Sequence, residues 1–261
     1  MPRQARQRSD SGVYHVMLRG VNRDALFLEP ADYERFLLAL GQVRADSGCR
    51  LLAYCLMTNH VHLVLRATEE PIGAVVKRLG VRYSGWFNRK YGRVGHLFQD
   101  RFRSRAVEDD SYFVALIRYV WNNPVEAGLV ERPEQYLWSS RRLVGNQSSI
   151  ADESELQRLL PPGCLEALLS GREPVPRGVY KVPEQPPRYT DVQVRDLIRK
   201  ACGAALPGAF ANLAESTRLQ VIRELRTRSV SYAQIAKATG MSTSGVRRAQ
   251  VAGQGNSSDA A

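Results

Sequence analysis

The 261-residue chain has little cysteine, little histidine and no long apolar run. Its four cysteines, Cys49, Cys55, Cys164 and Cys202, stand far apart with no CxxC pair, so neither a zinc knuckle nor a disulfide framework is supported. They read as reduced structural thiols of a bacterial cytoplasmic protein. Nowhere do apolar residues reach the roughly 18–20 in a row that span a bilayer, which leaves no membrane partner to expect. The opening MPRQARQRSD is polar and basic and lacks the apolar core of a signal peptide. No GxxxxGK[ST] occurs, so a P-loop helicase or ATPase is excluded. Acid is also in deficit: 37 Lys and Arg face 26 Asp and Glu, a formal charge of +11. That balance points to a polyanionic partner, with nucleic acid and a nucleoid location ahead of an acidic membrane surface.

Prolines set the main boundary. Pro174, Pro176, Pro183, Pro186 and Pro187 cannot donate to a ladder, so 171–190 reads as a semi-extended linker. Five segments follow: a basic arm at 1–10 carrying Arg3, Arg6 and Arg8, a main domain at 11–150, a helix and linker at 151–189, a helical domain at 190–250 and a polar tail at 251–261. In the main domain VYHVMLR (13–19) reads as a strand and 31–47 as a helix with Phe36, Leu37, Leu40 and Val43 at helical spacing. The runs 50–57 and 60–67 read as strands around a Thr58–Asn59 break, and 71–91 as a helix opened by proline. A strand is expected within 98–107, and a helix over 109–123 stopped by Pro124. The order β-α-β-β-α-β plus a further helix predicts an α+β, ferredoxin-like antiparallel sheet with helices on one face.

Two of only four histidines, His60 and His62, occupy alternate positions of HVHLVLR. Residues i and i+2 of a strand share a face, so both imidazoles point the same way and supply two corners of a metal site. A third donor must come from another element. In LIRYVWNNP, Tyr119 and Asn123 are i and i+4 on a helix and share its face. An amide oxygen is a hard donor suited to Mg²⁺ or Mn²⁺, and a phenol beside it is a nucleophile for a phosphodiester. The bland alternatives are hydrogen-bonded sheet histidines, a packing tyrosine and a helix-ending asparagine.

Four ordered blocks, YHVMLRGVNRDALF, HVHLVL, GHLFQDRFRS and LIRYVWNNPVEAGLV, together resemble the HUH single-tyrosine transposases. Within that superfamily the resemblance is to the REP-associated tyrosine transposases, and it covers about residues 12–145. It implies that His60 and His62 bind the metal, that Asn123 completes the site, and that Tyr119 attacks the scissile phosphate. It further implies a covalent 5′-phosphotyrosine, a freed 3′-OH, and single-stranded DNA with hairpins as substrate.

A basic stretch follows the histidines: Lys77, Arg78, Arg82, Arg89, Lys90, Arg93, Arg101, Arg103 and Arg105 against the single acid Asp100. It is a candidate surface for phosphates. The interleaved Tyr83, Trp86, Phe87, Tyr91, Phe98 and Phe102 read mostly as core anchors, with one or two left to stack on bases. After the linker, 190–202 and 211–228 read as amphipathic helices. In SYAQIAKATGMSTSGVRRAQ, Ala236, Gly240 and Val246 have helix-turn-helix spacing, with a second helix at 242–249. That helix presents Thr243, Ser244, Arg247 and Arg248 to a groove, which adds duplex DNA as a further partner. Two readings remain beside this enzyme: a regulator of a different class with an inert nuclease fold, and, weakest, a replication initiator or relaxase that shares the HUH chemistry. The sequence leaves monomer and homodimer both open.

Overall fold

The structure, a computed structural model, describes residues 8–99, 102–146, 148–171, 187–203 and 207–251. Arg3, Arg6, Asp100, Arg101, most of the proline-rich stretch and the tail from 252 lie outside the described residues. Chain contacts divide the protein into two units, Met1–Gln185 and Pro186–Ala261.

In the first unit the elements run β1 (Val13–Arg19), α1 (Pro30–Ser47), β2 (Arg50–Met57), β3 (His60–Arg66), α2 (Ile72–Tyr91), β4 (Arg103–Ala106) and α3 (Asp110–Glu126). Two short helices follow, α4 (Glu153–Leu159) and α5 (Cys164–Ser170). The four strands form one antiparallel sheet in the order β2-β3-β1-β4, the ferredoxin-like arrangement that the element order predicts. β4 covers only part of the expected 98–107 run; Phe98 makes an isolated bridge to Gly20 instead.

Register assigns each strand's two faces. His15 stands opposite Val64 and Arg105, Met17 opposite His62 and Arg103, and Arg19 opposite His60. Directly opposed residues share a face, so these side chains lie on one side, with Ala53, Cys55 and Met57 of β2. The alternate residues Leu18, Val61, Leu63 and Leu65 point the other way. There Leu18 faces α2 across a cavity lined by Val76, Gly80 and Phe98, and Phe36 of α1 meets Tyr83 of α2 edge-on at 5.0 Å. The two crossover helices thus take one face. α3 takes the opposite one, packing Leu116, Ile117 and Val120 with Cys55, Met57 and Val64 in a buried cluster.

Local chemistry sets the helix ends. Pro30 opens α1 inside a Glu29–Asp32 capping box, and Gly48 (φ 66°) closes it. The Asp109 carboxylate accepts from Tyr112 N at 2.7 Å and starts α3. Contrary to expectation, Pro124 does not stop that helix; it sits inside the last turn, which continues to Glu126. A proline so near the end forfeits one ladder bond, and the buried apolar face of α3 outweighs that loss.

The loop after β1 depends on a close backbone approach at Gly20, whose N–H donates to Asn59 O at 2.9 Å. A Cβ at this position would lie 2.0 Å from the Asp24 carbonyl oxygen. Gly20→Ala is therefore expected to destabilise the first unit by about 1–3 kcal/mol, read as a lower urea midpoint. An unchanged midpoint would mean that the loop relaxes freely.

Among the described residues the second unit is built from helices: α6 (Asp191–Cys202), α7 (Pro207–Ala211), α8 (Glu215–Thr227), α9 (Tyr232–Thr239) and α10 (Thr243–Val251). Its core is built from Val194, Ile198, Phe210, Ile222, Ile235 and Val246, all buried. Ser231 and Gln234 form a capping box on α9, and Gly240 (φ 75°) takes the left-handed turn before α10. Buried Ala236 and Val246 lie on the two helices that the turn joins. Among the described residues no helix is long and apolar enough to cross a membrane.

Candidate active site

The histidine face of the sheet and the inner face of α3 bring five side chains together. His60 and His62 come from β3 and His15 from β1, while Tyr119 and Asn123 come from α3 one turn apart. The His62 ring is 5.0 Å from that of His60, 5.2 Å from that of His15 and 5.3 Å from that of Tyr119. Tyr119 also meets His15 edge-on at 6.1 Å. All five residues are buried.

Each β3 histidine has one ring nitrogen occupied. His60 Nδ1 is 2.8 Å from Asn59 Oδ1, and His62 Nδ1 is 3.0 Å from His15 Nε2. The opposite nitrogens, His60 Nε2 and His62 Nε2, are buried with no hydrogen-bond partner, as are Asn123 Oδ1 and Nδ2. Asn123 is near enough to His60 to raise its proton affinity, although no hydrogen bond of ordinary geometry joins them. A buried polar atom left unpaired costs about 1–3 kcal/mol, so three such atoms of ligand type on facing elements demand an explanation. Two imidazole nitrogens and an amide oxygen are a suitable donor set for Mg²⁺ or Mn²⁺. Among the described residues no group of three or more His, Cys, Asp or Glu is placed to hold a metal; the donor set here needs the amide.

Burial keeps these imidazoles neutral. Desolvation first, then the Arg19 guanidinium, lowers His60 to about 4. Desolvation and Arg105 lower His15 to about 3. His62 is pushed well below the ordinary value by burial, then by His60 and His15. Neutral imidazole is the form that binds a cation. Stability follows. Below pH 6.5 the unfolded chain takes up protons that the folded site refuses, so stability falls as pH drops from 6.5 toward about 4. A tenfold difference in proton affinity is worth about 1.4 kcal/mol, which makes the cost for His60 alone about 3 kcal/mol. The metal-free protein is expected to lose melting temperature steeply across that window, beginning above the range where carboxylates titrate. A flat profile would count against buried neutral imidazoles.

The candidate DNA contacts divide. Arg78, Arg82, Arg89 and Lys90 ride on α2, which packs on the sheet face away from the histidines. Arg78 pairs with Glu70, Arg82 with Asp46 at 2.8 Å, and Lys90 with Glu29 and the buried Asp32. Arg93, just beyond α2, pairs with Asp24 at 3.1 Å. Arg89 is exposed. Arg103 and Arg105 on β4 are exposed and belong to the histidine face, with Arg105 lying 4.4 Å over the Tyr112 ring. Of the interleaved aromatics, Tyr83 and Phe87 are core and Tyr91 donates to Asp32. On α10 Thr243, Ser244, Arg247 and Arg248 are exposed, and Arg247 stands 5.3 Å over Tyr232. His15 and Asn59 have no signal in the sequence. Only strand pairing brings His15 to His62, and a turn asparagine reads as a turn residue until its side chain is seen.

These features define an α+β domain with a tyrosine beside a candidate metal-binding set. Residues 9–123 match the family model described as "Transposase IS200 like". Among solved structures, a REP-associated tyrosine transposase bound to a REP hairpin aligns with 59% of this chain and 93% of its own, at 18% identity and a TM-score of 0.49. A candidate transposase from Deinococcus radiodurans R1 aligns over 42% of this chain and 89% of its own, at 20% identity and a TM-score of 0.34. No curated protein sequence matches the chain.

Proposed function

We propose that this chain is a metal-dependent endonuclease and strand-transferase for single-stranded DNA, cutting through a covalent 5′-phosphotyrosine at Tyr119. The observation that carries the reading is the unpaired, buried donor set of His60 Nε2, His62 Nε2 and Asn123 Oδ1 beside the Tyr119 ring. Those three residues would hold Mg²⁺ or Mn²⁺. Such a cation, when bound, offsets the charge that builds on a phosphate under attack. The Tyr119 phenol oxygen bonds to phosphorus, the bond from phosphorus to the 3′ oxygen breaks, the phenol gives up its proton and the 3′ oxygen gains one. The phosphodiester's energy stays in the tyrosyl ester, so a 3′-OH can later reverse the step and join strands without ATP.

Arg103 and Arg105, on the same sheet face, are the proposed phosphate contacts of the incoming strand. Hairpin-bearing single strands are the substrate that the REP-associated resemblance implies. The exposed face of α10, with Thr243, Ser244, Arg247 and Arg248, supports duplex DNA as an additional partner. It also sustains the alternative of a regulator that binds DNA without cutting.

The test is a denaturing gel of the protein with oligonucleotides spanning the hairpins that flank its gene. An adduct that survives SDS, needs Mn²⁺ or Mg²⁺ and disappears in His60→Ala supports the enzyme. Tight duplex binding with no adduct on any strand, lost on deleting 190–261, makes the regulator the correct reading.

A further inference from the structure

His15 has no role in the reaction proposed so far, yet it is as enclosed as His62 on the histidine face. It is 0% exposed, as is His62, and the two rings stack at 5.2 Å with 25° between their planes. Its Nε2 is 3.0 Å from His62 Nδ1. We propose that His15 is a positioning residue that accepts the His62 Nδ1 proton and thereby leaves His62 Nε2 bare for a divalent cation. This rests on the metal site proposed above.

The argument is one of proton bookkeeping between two neutral rings. A single proton lies between His15 Nε2 and His62 Nδ1. If His15 carries it, His62 must hold its own proton on Nε2 and cannot bind a cation there. If His62 carries it, Nε2 presents a lone pair and His15 becomes the acceptor, with its remaining proton on Nδ1, a buried atom with no hydrogen-bond partner, so the cation's bond to His62 must offset that N–H. A cation selects the second arrangement. Among the described residues no other side chain bonds His62 Nδ1, so without His15 a cation-bound His62 would bury an unpaired N–H. A ligating histidine commonly gives its second N–H to a fixed acceptor, and loss of that acceptor weakens metal binding by on the order of 10–100-fold. In this fold the acceptor is a second imidazole supplied by the neighbouring strand. His60 obtains the same support from Asn59 Oδ1 at 2.8 Å, so the two proposed ligands are each oriented from behind.

The test is Mn²⁺ affinity of the full chain, by calorimetry or by electron paramagnetic resonance of the free ion. His15→Phe keeps a ring of similar volume but removes the acceptor, and is expected to weaken Mn²⁺ by on the order of 10–100-fold. His15→Gln, whose Oε1 can reach the His62 proton, should recover most of that loss. In a His62→Ala background, His15→Phe should change nothing further. Ring ¹⁵N shifts of the Mg²⁺-saturated protein should show His62 protonated on Nδ1 alone. Melting of the metal-free variants separates a folding defect from a lost acceptor. Wild-type affinity in His15→Phe, or a Gln variant no better than Phe, overturns the proposal and leaves the metal site standing. Mn²⁺ binding indifferent to both His60→Ala and His62→Ala overturns the site and His15's role together.

Discussion

Tyr119→Phe is expected to abolish the covalent DNA adduct and to lower strand cleavage by on the order of 10⁴-fold or more, since the nucleophile itself is removed. The change deletes one oxygen from a side chain that is 5% exposed and packed edge-on against His62 and His15. Phenylalanine fills the same space, so fold, Mn²⁺ affinity and DNA affinity should stay close to wild type. That pattern distinguishes a nucleophile from a packing residue, for which phenylalanine would leave the adduct as well as the fold unchanged. His60→Ala and His62→Ala should also lose the adduct, but together with Mn²⁺ binding. Quantitative recovery of adduct on denaturing gels decides the matter. An adduct persisting in Tyr119→Phe would mean another residue attacks, and the proposed reaction would have to be rebuilt around it.

The second large effect is on stability, at Asp32. This carboxylate is completely buried and accepts from Leu28 N at 2.7 Å, Glu29 N at 3.1 Å and Tyr91 Oη at 2.9 Å, with Lys90 as its counter-charge. It ties the start of α1 to the end of α2 on the face away from the site. Asp32→Ala removes the acceptor of two backbone N–H groups and of the Tyr91 hydroxyl and leaves Lys90 to Glu29 alone, and breaking such a buried pair costs about 3–5 kcal/mol. Asp32→Asn keeps the shape but puts an N–H₂ among donors, so a smaller loss in the same direction is expected. All three tryptophans, Trp86, Trp121 and Trp138, belong to the first unit, so their fluorescence in urea reports this transition. An Asp32→Ala midpoint equal to wild type would show the network to be solvated and of little weight. The same network explains why Lys90 is a poor candidate for DNA phosphates: its charge is already spent on Glu29 and Asp32.

Much of the fold was legible because it depends on short-range periodicity. β1 and β2 begin and end where alternation and flanking breaks place them, and the i, i+2 and i, i+4 spacings put His60 with His62 and Tyr119 with Asn123 before any packing is known. Errors arose where tertiary contacts outweigh local preference. Pro124 reads as a stop, yet α3 runs through it because the helix is held by its buried face. The cations of α2 and Arg93 read as one basic stretch, and only the fold shows that Arg82, Lys90 and Arg93 pair with Asp46, Glu29, Asp32 and Asp24 from earlier in the chain.

The sequence alone thus determined the α+β element order, the shared strand face of His60 and His62, and the helical pairing of Tyr119 with Asn123, because each follows from a fixed residue period. Only the tertiary structure decided that α3 crosses the histidine side of the sheet, that His15 backs His62, and that Arg103 and Arg105 rather than the α2 cations share that face. Those are consequences of strand register and of which helix covers which face, and both are set by contacts between residues far apart in the chain.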